Sequence, residues 1–268
     1  MSSPPNNSYE IMDSTTNIFW EESSDEEIEY TSHTYTRVAP IKNNSDVTTL
    51  SVRLPQRHSL WAHLAWNAGI ALSDFLDKEI DFTNKTVLEL GSGAGLPCFI
   101  AALNNAKRVV MTDYPEDTLI NNMKYNRSNT VPERVCDENN RLLAVPHLWG
   151  KNPEELNQLL DEPSKKFDII ILSDLLFNHA VHDKMLETCS TCLSDNGIIY
   201  VSFSHHRPHR QDKDLYFFEL AKDPEFNFES EKFKELKMQA MFENDLGCEE
   251  TRSTVHFYTM KRKISTPQ

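Results

Sequence analysis

Residues 87–101 read VLELGSGAGLPCFIA: five residues that favour a strand, three glycines at alternate positions, then Leu-Pro and an apolar run. A glycine-rich turn joining a strand to a helix lets backbone approach part of a nucleotide, and it restricts the chain to folds where a strand feeds a helix directly. The same alternation continues on both sides. Strands are expected at Thr86–Leu90, 108–112, Leu142–Pro146, Phe167–Ser173 and 197–204, and helices at 96–104, 116–126, 153–160, 181–192 and 212–221. Upstream, TTLSVRLP (48–55) reads as a short strand. Residues 59–78 then place Leu60, Leu64, Asn67/Ala68 and Ala71/Leu72 on one helical face, followed by Phe75 and Leu76. Residues 233–241 and 254–261 alternate and read as a closing antiparallel pair. Strands that are apolar throughout, alternating with helices, predict an α/β fold: a doubly wound, mostly parallel sheet with helices on both faces. Such sheets bind ligands at the carboxyl ends of their strands. That edge gathers Gly91–Gly95, Asp113, residues 147–150, residues 173–179 and residues 205–210.

The glycine spacing limits which nucleotide fits. A dinucleotide turn runs G-x-G-x-x-G/A, the third small residue letting the helix pack close. Here Gly91, Gly93 and Gly95 give G-x-G-x-G, and Leu96 stands where that small residue belongs. A Walker loop is excluded, since no Gly-Lys-Ser/Thr follows. S-adenosylmethionine has no phosphate; its turn needs small residues facing a sugar and an amino-acid tail, and acceptors for an ammonium and ribose hydroxyls. Glu89, two residues before the first glycine, and Asp113, ending the next strand, are placed for those tasks. The Gly91-to-Asp113 spacing suits a ribose in either cofactor class, so Asp113 marks a ribose without deciding between them.

Charge and cysteine usage narrow the partners. The formal net charge is −14, and residues 1–36 carry Glu10, Asp13, Glu21, Glu22, Asp25, Glu26, Glu27 and Glu29 with no Lys or Arg. A general nucleic-acid binder needs clustered cations, so this balance fits a small neutral substrate or a basic protein partner better. Residues 1–46 read as an acidic, mostly flexible arm with anchoring spots at Ile18-Phe19-Trp20 and Ile28-Glu29-Tyr30. The catalytic domain is expected over residues 47–262, with a tail at 263–268. No run approaches the ~18 apolar residues of a membrane span, and the N-terminus lacks the layout of a signal peptide. Five scattered cysteines are expected as reduced thiols in a cytosolic or nuclear protein, and a cytoplasmic location is expected. Zinc is not expected. His205 and His206 are adjacent and lack a completing set, and Cys189-x-x-Cys192 has no partner pair.

Taken together, LWAHLAWNAG (60–69), VLELGSGAGLP (87–97), TDYPED (112–117), Trp149 and LSDLLFNHAVHDKML (172–186) resemble class I methyltransferases, within them the protein-modifying methyltransferase family 16. The resemblance spans residues 50–262 and implies a seven-stranded, Rossmann-like sheet with an antiparallel C-terminal pair. SDLLFNH followed by SHHRPHRQDKDLYFFELA (204–221) resembles the fungal branch that methylates the N-terminal glycine of translation elongation factor 1-alpha and the adjacent lysine. It implies S-adenosyl-L-methionine as cofactor, that factor's N-terminus as substrate, and a monomer bound to neither nucleic acid nor membrane.

Carried over by motif, Trp61 closes over the cofactor. Glu89, Gly91, Ser92 and Gly93 hold its methionine end, Asp113 its ribose, and Trp149 the region around its adenine. Ser173 touches the cofactor and Asp174 faces the substrate, with Asn178 and His179 beside it as candidates to accept a proton or bind incoming backbone. Relatives that methylate lysine often carry Asp-Val-Val-Tyr where this chain has Asp174-Leu175-Leu176-Phe177, so that tyrosine hydroxyl is missing. The Asn/Asp-Pro-Pro-Tyr/Phe of adenine-modifying enzymes is also absent. The loop 204–210 is expected at the rim, hydrogen-bonding a peptide. Competing readings are a nicotinamide-type small-molecule N-methyltransferase, an NAD-dependent oxidoreductase, disfavoured by Leu96, and a non-catalytic binding module.

Overall fold

The computed structural model describes residues 28–37, 46–56, 62–136, 141–162, 165–242 and 247–263. Its centre is a seven-stranded sheet of β3 (Thr86–Leu90), β4 (Arg108–Asp113), β5 (Leu142–Pro146), β6 (Phe167–Ser173), β7 (Leu193–Ser204), β8 (Phe228–Lys237) and β9 (Thr254–Arg262). The order across the sheet is β5-β4-β3-β6-β7-β9-β8. Strands β3 to β7 pair in parallel, and β9 runs antiparallel between β7 and β8.

Parallel strands bury both faces, so neighbouring residues of one strand enter different cores. Val87, Val109, Ile169 and Ile171 join one core, together with α1 (Asn67–Glu79), α2 (Leu96–Leu103) and α3 (Asp117–Thr130). Leu88, Leu90, Val110, Ile170 and Leu172 join the other, with α6 (His182–Cys192) and α7 (Gln211–Leu220). This is the doubly wound sheet expected from the apolar strands, closed by the expected antiparallel pair.

The boundaries differ in instructive places. The helix expected from residue 59 begins at Asn67, because Trp66 is extended (ψ 139°) and the chain before it turns. The expected strand at 233–241 is β8 at Phe228–Lys237. Its side chains past Ser230 are exposed, so alternation there records an edge strand and not a buried face. The expected helix at 153–160 shrinks to the four residues of α5 (Glu154–Asn157).

Within the stretch expected as a flexible arm, Tyr30–Thr36 forms β1, paired antiparallel with β2 (Thr49–Pro55). Arg37, just after β1, is buried and grips Asp77 of α1 through Nε (2.9 Å) and Nη2 (2.7 Å). The Tyr35 hydroxyl donates to Asp74 at 2.7 Å. The small sheet is thereby fastened to the helix that leads into the glycine turn's side of the molecule. Of the expected anchoring spots, Ile18-Phe19-Trp20 lies outside the described residues.

Candidate functional site

The glycine turn is shaped by backbone conformation. Gly93 has φ +51°, and a Cβ there would meet no atom within 4 Å, because the residue opens onto a cavity. Gly95 has φ +84°, and a Cβ there would run into Met111 and Phe99. One glycine therefore clears space for a ligand, while the other lets the helix pack. Ser92 ties the turn to β4: its N–H donates to the Thr112 carbonyl (2.8 Å), and its hydroxyl oxygen accepts the Thr112 N–H (3.1 Å). Asp113 completes the knot, accepting the Gly93 N–H on Oδ2 (2.8 Å) and the Tyr114 N–H on Oδ1 (2.7 Å).

The cavity beside this turn has a volume of about 430 Å³, within the usual range for small-ligand sites. Its walls are the carboxyl ends of β3 to β6 and the segment entering α1. Gly91–Leu96, Asp113, His147–Trp149, Ser173–Leu175, Phe177 and Asn178 face it from the sheet, and Trp66 and Gly69 from the helix side. Tyr114, Leu148 and Phe177 are exposed and mark its mouth. This is the sheet edge at which the sequence gathered its candidates, and the strand order reverses there, between β3 and β6.

Beside the turn, the Glu89 carboxylate and the His147 ring each bury polar atoms. Glu89 is 1% exposed, and neither carboxylate oxygen meets a partner at full hydrogen-bond geometry. Burial pushes its carboxyl up to about 8, which the Cys98 and Ser92 side chains beside it offset only in part. The Nε2 of His147, on the cavity wall, is also buried without a partner, and burial lowers the ring's pKa so that it is neutral. An open glycine cradle, a carboxylate ending the second strand and an orphaned ring nitrogen fit a ligand carrying hydroxyl and amino groups. A nucleoside with an amino-acid tail has that chemistry.

At the end of β6, Asp174 adopts φ +58°, a left-handed conformation tolerated by Asp more than by most residues. It is 5% exposed. Its N–H donates to the Ser202 carbonyl (2.8 Å), and both carboxylate oxygens accept from His206 Nε2, at 2.9 and 3.0 Å. His206 packs edge-on against Trp66 at 4.8 Å.

The fold thus brings Gly91, Ser92, Gly93, Asp113, Trp149, Ser173, Asp174 and Asn178 around one cavity. Glu89 lies outside the wall, buried behind the turn. His179 also does not line it, because its Nε2 is committed to Asp214 Oδ1 at 2.6 Å. Trp61 lies outside the described residues. In the loop 204–210, His205 and His206 turn inward onto the protein's own carboxylates, Asp214 and Asp174, while Arg207, His209 and Arg210 are exposed. Sequence reasoning gave no site role to Trp66, quoted only within LWAHLAWNAG, nor to His147 and His206, which lay in the gathered edge segments 147–150 and 205–210. Each stands within two residues of a strand end or at a helix start, and that position was the available signal. All five cysteines are free thiols, four of them buried.

A family model described as lysine methyltransferase matches residues 44–223. The "Protein N-terminal and lysine N-methyltransferase efm7" of Schizosaccharomyces pombe is 42% identical over 215 residues, covering 79% of this chain and 82% of that one. Its namesake in Candida glabrata is 43% identical over 228 residues, covering 84% and 87%. That of Candida albicans is 39% identical over 234 residues, covering 84% and 86%. Among solved structures, SMU.776 complexed with SAH superposes with a TM-score of 0.51 at 14% identity, covering 79% of this chain and 53% of its own, a likeness of fold alone.

Proposed function

The chain belongs to the lysine methyltransferase family, and from that premise we propose that it methylates the N-terminal glycine of translation elongation factor 1-alpha and the lysine beside it. It is an S-adenosylmethionine-dependent protein N-methyltransferase. The observation that carries the finer reading is the cavity itself: a nucleoside-type cradle at the glycine turn, with Asp174 and Asn178 on the wall toward the exposed Phe177. The acidic balance of the chain suits a basic N-terminal tail. We also propose that the reaction takes place in the cytoplasm, on the enzyme as a monomer. Among the described residues no helix is long and apolar enough to cross a membrane.

In this reading Gly91, Ser92 and Gly93 receive the amino-acid end of the cofactor, Asp113 its ribose hydroxyls, and Trp149 with His147 its base. Trp61 covers it, and Glu89 supports the turn from behind. When bound, S-adenosylmethionine would supply an electrophilic methyl group to the uncharged amine and depart as a neutral thioether, the nitrogen giving up one proton. The protein's share is alignment and exclusion of water, with Asp174 and Asn178 accepting the amine's N–H groups and His179 holding the turn that carries Asn178. Deprotonating an α-amine with pKa near 8 costs about 1.4 kcal/mol at pH 7, against about 4.6 for a lysine near 10.4. A site without a strong base therefore favours the N-terminal amine first.

The test is labelled methyl transfer from S-adenosylmethionine to elongation factor 1-alpha purified from a strain lacking this gene, read by mass spectrometry. Methyl groups are expected on the N-terminal glycine and the next lysine, and acetylating the N-terminus should abolish the first. Label appearing only in nicotinamide, or in no protein, overturns the reading. Asp113→Ala should remove cofactor binding by calorimetry while the domain stays folded.

A further inference from the structure

The loop after β7 sends two neighbouring histidines to two different carboxylates. His205 Nδ1 pairs with Asp214 Oδ2 at 2.7 Å, and Asp214 Oδ1 also takes His179 Nε2 at 2.6 Å. One carboxylate on α7 therefore clamps both the loop bearing His206 and the turn bearing Asn178. His206 then reaches back to Asp174, its Nε2 lying 2.9 and 3.0 Å from the two oxygens. An ionised carboxylate only accepts hydrogen bonds, so Nε2 carries the hydrogen.

Asp174 needs such a hold. Its left-handed backbone is strained and persists only where the surroundings fix it. Among the described residues, the further hydrogen bond to its carboxylate besides that of His206 is a long one, from the Ser204 N–H at 3.4 Å. His206 is itself fixed edge-on against Trp66, which lines the cavity and packs in turn on Phe242 at 5.9 Å. A carboxylate on a cavity wall is thus backed by an imidazole that does not line the cavity.

We propose that His206 is a positioning residue for methyl transfer: its Nε2–H fixes the Asp174 carboxylate in the orientation that receives the substrate amine. The proposal rests on the reading of Asp174 as the substrate-side carboxylate. Asp174 makes the contact with substrate, and His206 acts only through it. The remaining lone pairs of Asp174 stay available to the amine's N–H groups, which is what an aligned attack requires.

Two variants separate the donor from the ring. His206→Phe keeps an aromatic edge against Trp66 and removes the donor; His206→Gln restores a donor near the Nε2 position and removes the ring. With an N-terminal peptide of elongation factor 1-alpha, His206→Phe should lower kcat about 10- to 100-fold. Its KM for peptide and its affinity for S-adenosylhomocysteine should stay within about twofold, and His206→Gln should recover to within about fivefold of the wild-type kcat. A wild-type kcat in His206→Phe, or a His206→Gln enzyme as slow as His206→Phe, overturns the proposal. Nitrogen-15 spectra of the imidazoles in the S-adenosylhomocysteine complex need no methyl acceptor. They should show His206 as the Nε2–H tautomer, released by Asp174→Ala; a Nδ1–H tautomer overturns the proposal. A wild-type enzyme with the expected tautomer that leaves the peptide unmethylated overturns the substrate reading instead.

Discussion

Between its ordinary pKa of 4.5 and its folded value of about 8, Glu89 makes this protein less stable as pH rises. In that window the folded state keeps the Glu89 proton while the unfolded state has lost it, so unfolding releases a proton and stability falls with pH. Below the window both states are protonated, and above it both are ionised with the burial penalty fully expressed. Glu89→Gln should therefore flatten the dependence of the urea midpoint on pH from about 5 to 8 and unfold later than wild type above pH 8. The glycines of the turn divide in the same concrete way. Gly93→Ala should cost only about 1–2 kcal/mol of stability, since its Cβ enters open space, yet weaken S-adenosylhomocysteine binding at least tenfold by calorimetry. Gly95→Ala should instead destabilise by about 2–4 kcal/mol, since strain and overpacking against Met111 and Phe99 add. The motif assigned Gly93 to the cofactor and left Gly95 without a role, but gave no physical reason for the difference. Only the neighbours from α2 and β4 supply one.

At the level of elements, one buried guanidinium helps fasten the β1–β2 sheet, beside the Tyr35–Asp74 hydrogen bond and the bonds of Arg53 to Asn122 and Asn126 of α3. Arg37 and Asp77 are almost wholly buried, and Asn104 joins them, donating to Asp77 at 2.9 Å and accepting from Arg37 at 3.2 Å. Arg37→Ala would leave the Asp77 charge buried without its cation, so chemical denaturation should show a loss of about 3–5 kcal/mol. Nothing in the local sequence announced this: Arg37 follows a polar, acidic stretch, and its partner lies 40 residues away. The strands that feed the site were legible because an apolar run can only be satisfied by two covered faces. Thr86–Leu90, Leu142–Pro146 and Phe167–Ser173 fall where the pattern put them. The helix start at Asn67 was not, because LWAHLAWNAG carries helical spacing into a segment that turns and then extends at Trp66.

For the whole molecule, the sheet order creates one ligand edge, and ligand binding there should stabilise the fold as a unit. S-adenosylhomocysteine at about 100 times its Kd should add about 2.7 kcal/mol, a rise of roughly 5–10 °C in the thermal midpoint, whereas NAD should leave the midpoint unchanged. The sequence by itself determined the architecture, because strand burial is a local pattern with few physical solutions; its glycine spacing disfavoured a dinucleotide, and S-adenosylmethionine followed from the family resemblance. It also named most of the cavity wall, since residues that follow parallel strands must emerge at the same edge. What only the tertiary structure decided was how those residues are used: that Glu89 lies behind the turn, that His179 faces Asp214, and that His206 backs Asp174. Side-chain direction at a loop depends on partners distant in sequence, and no local period encodes it.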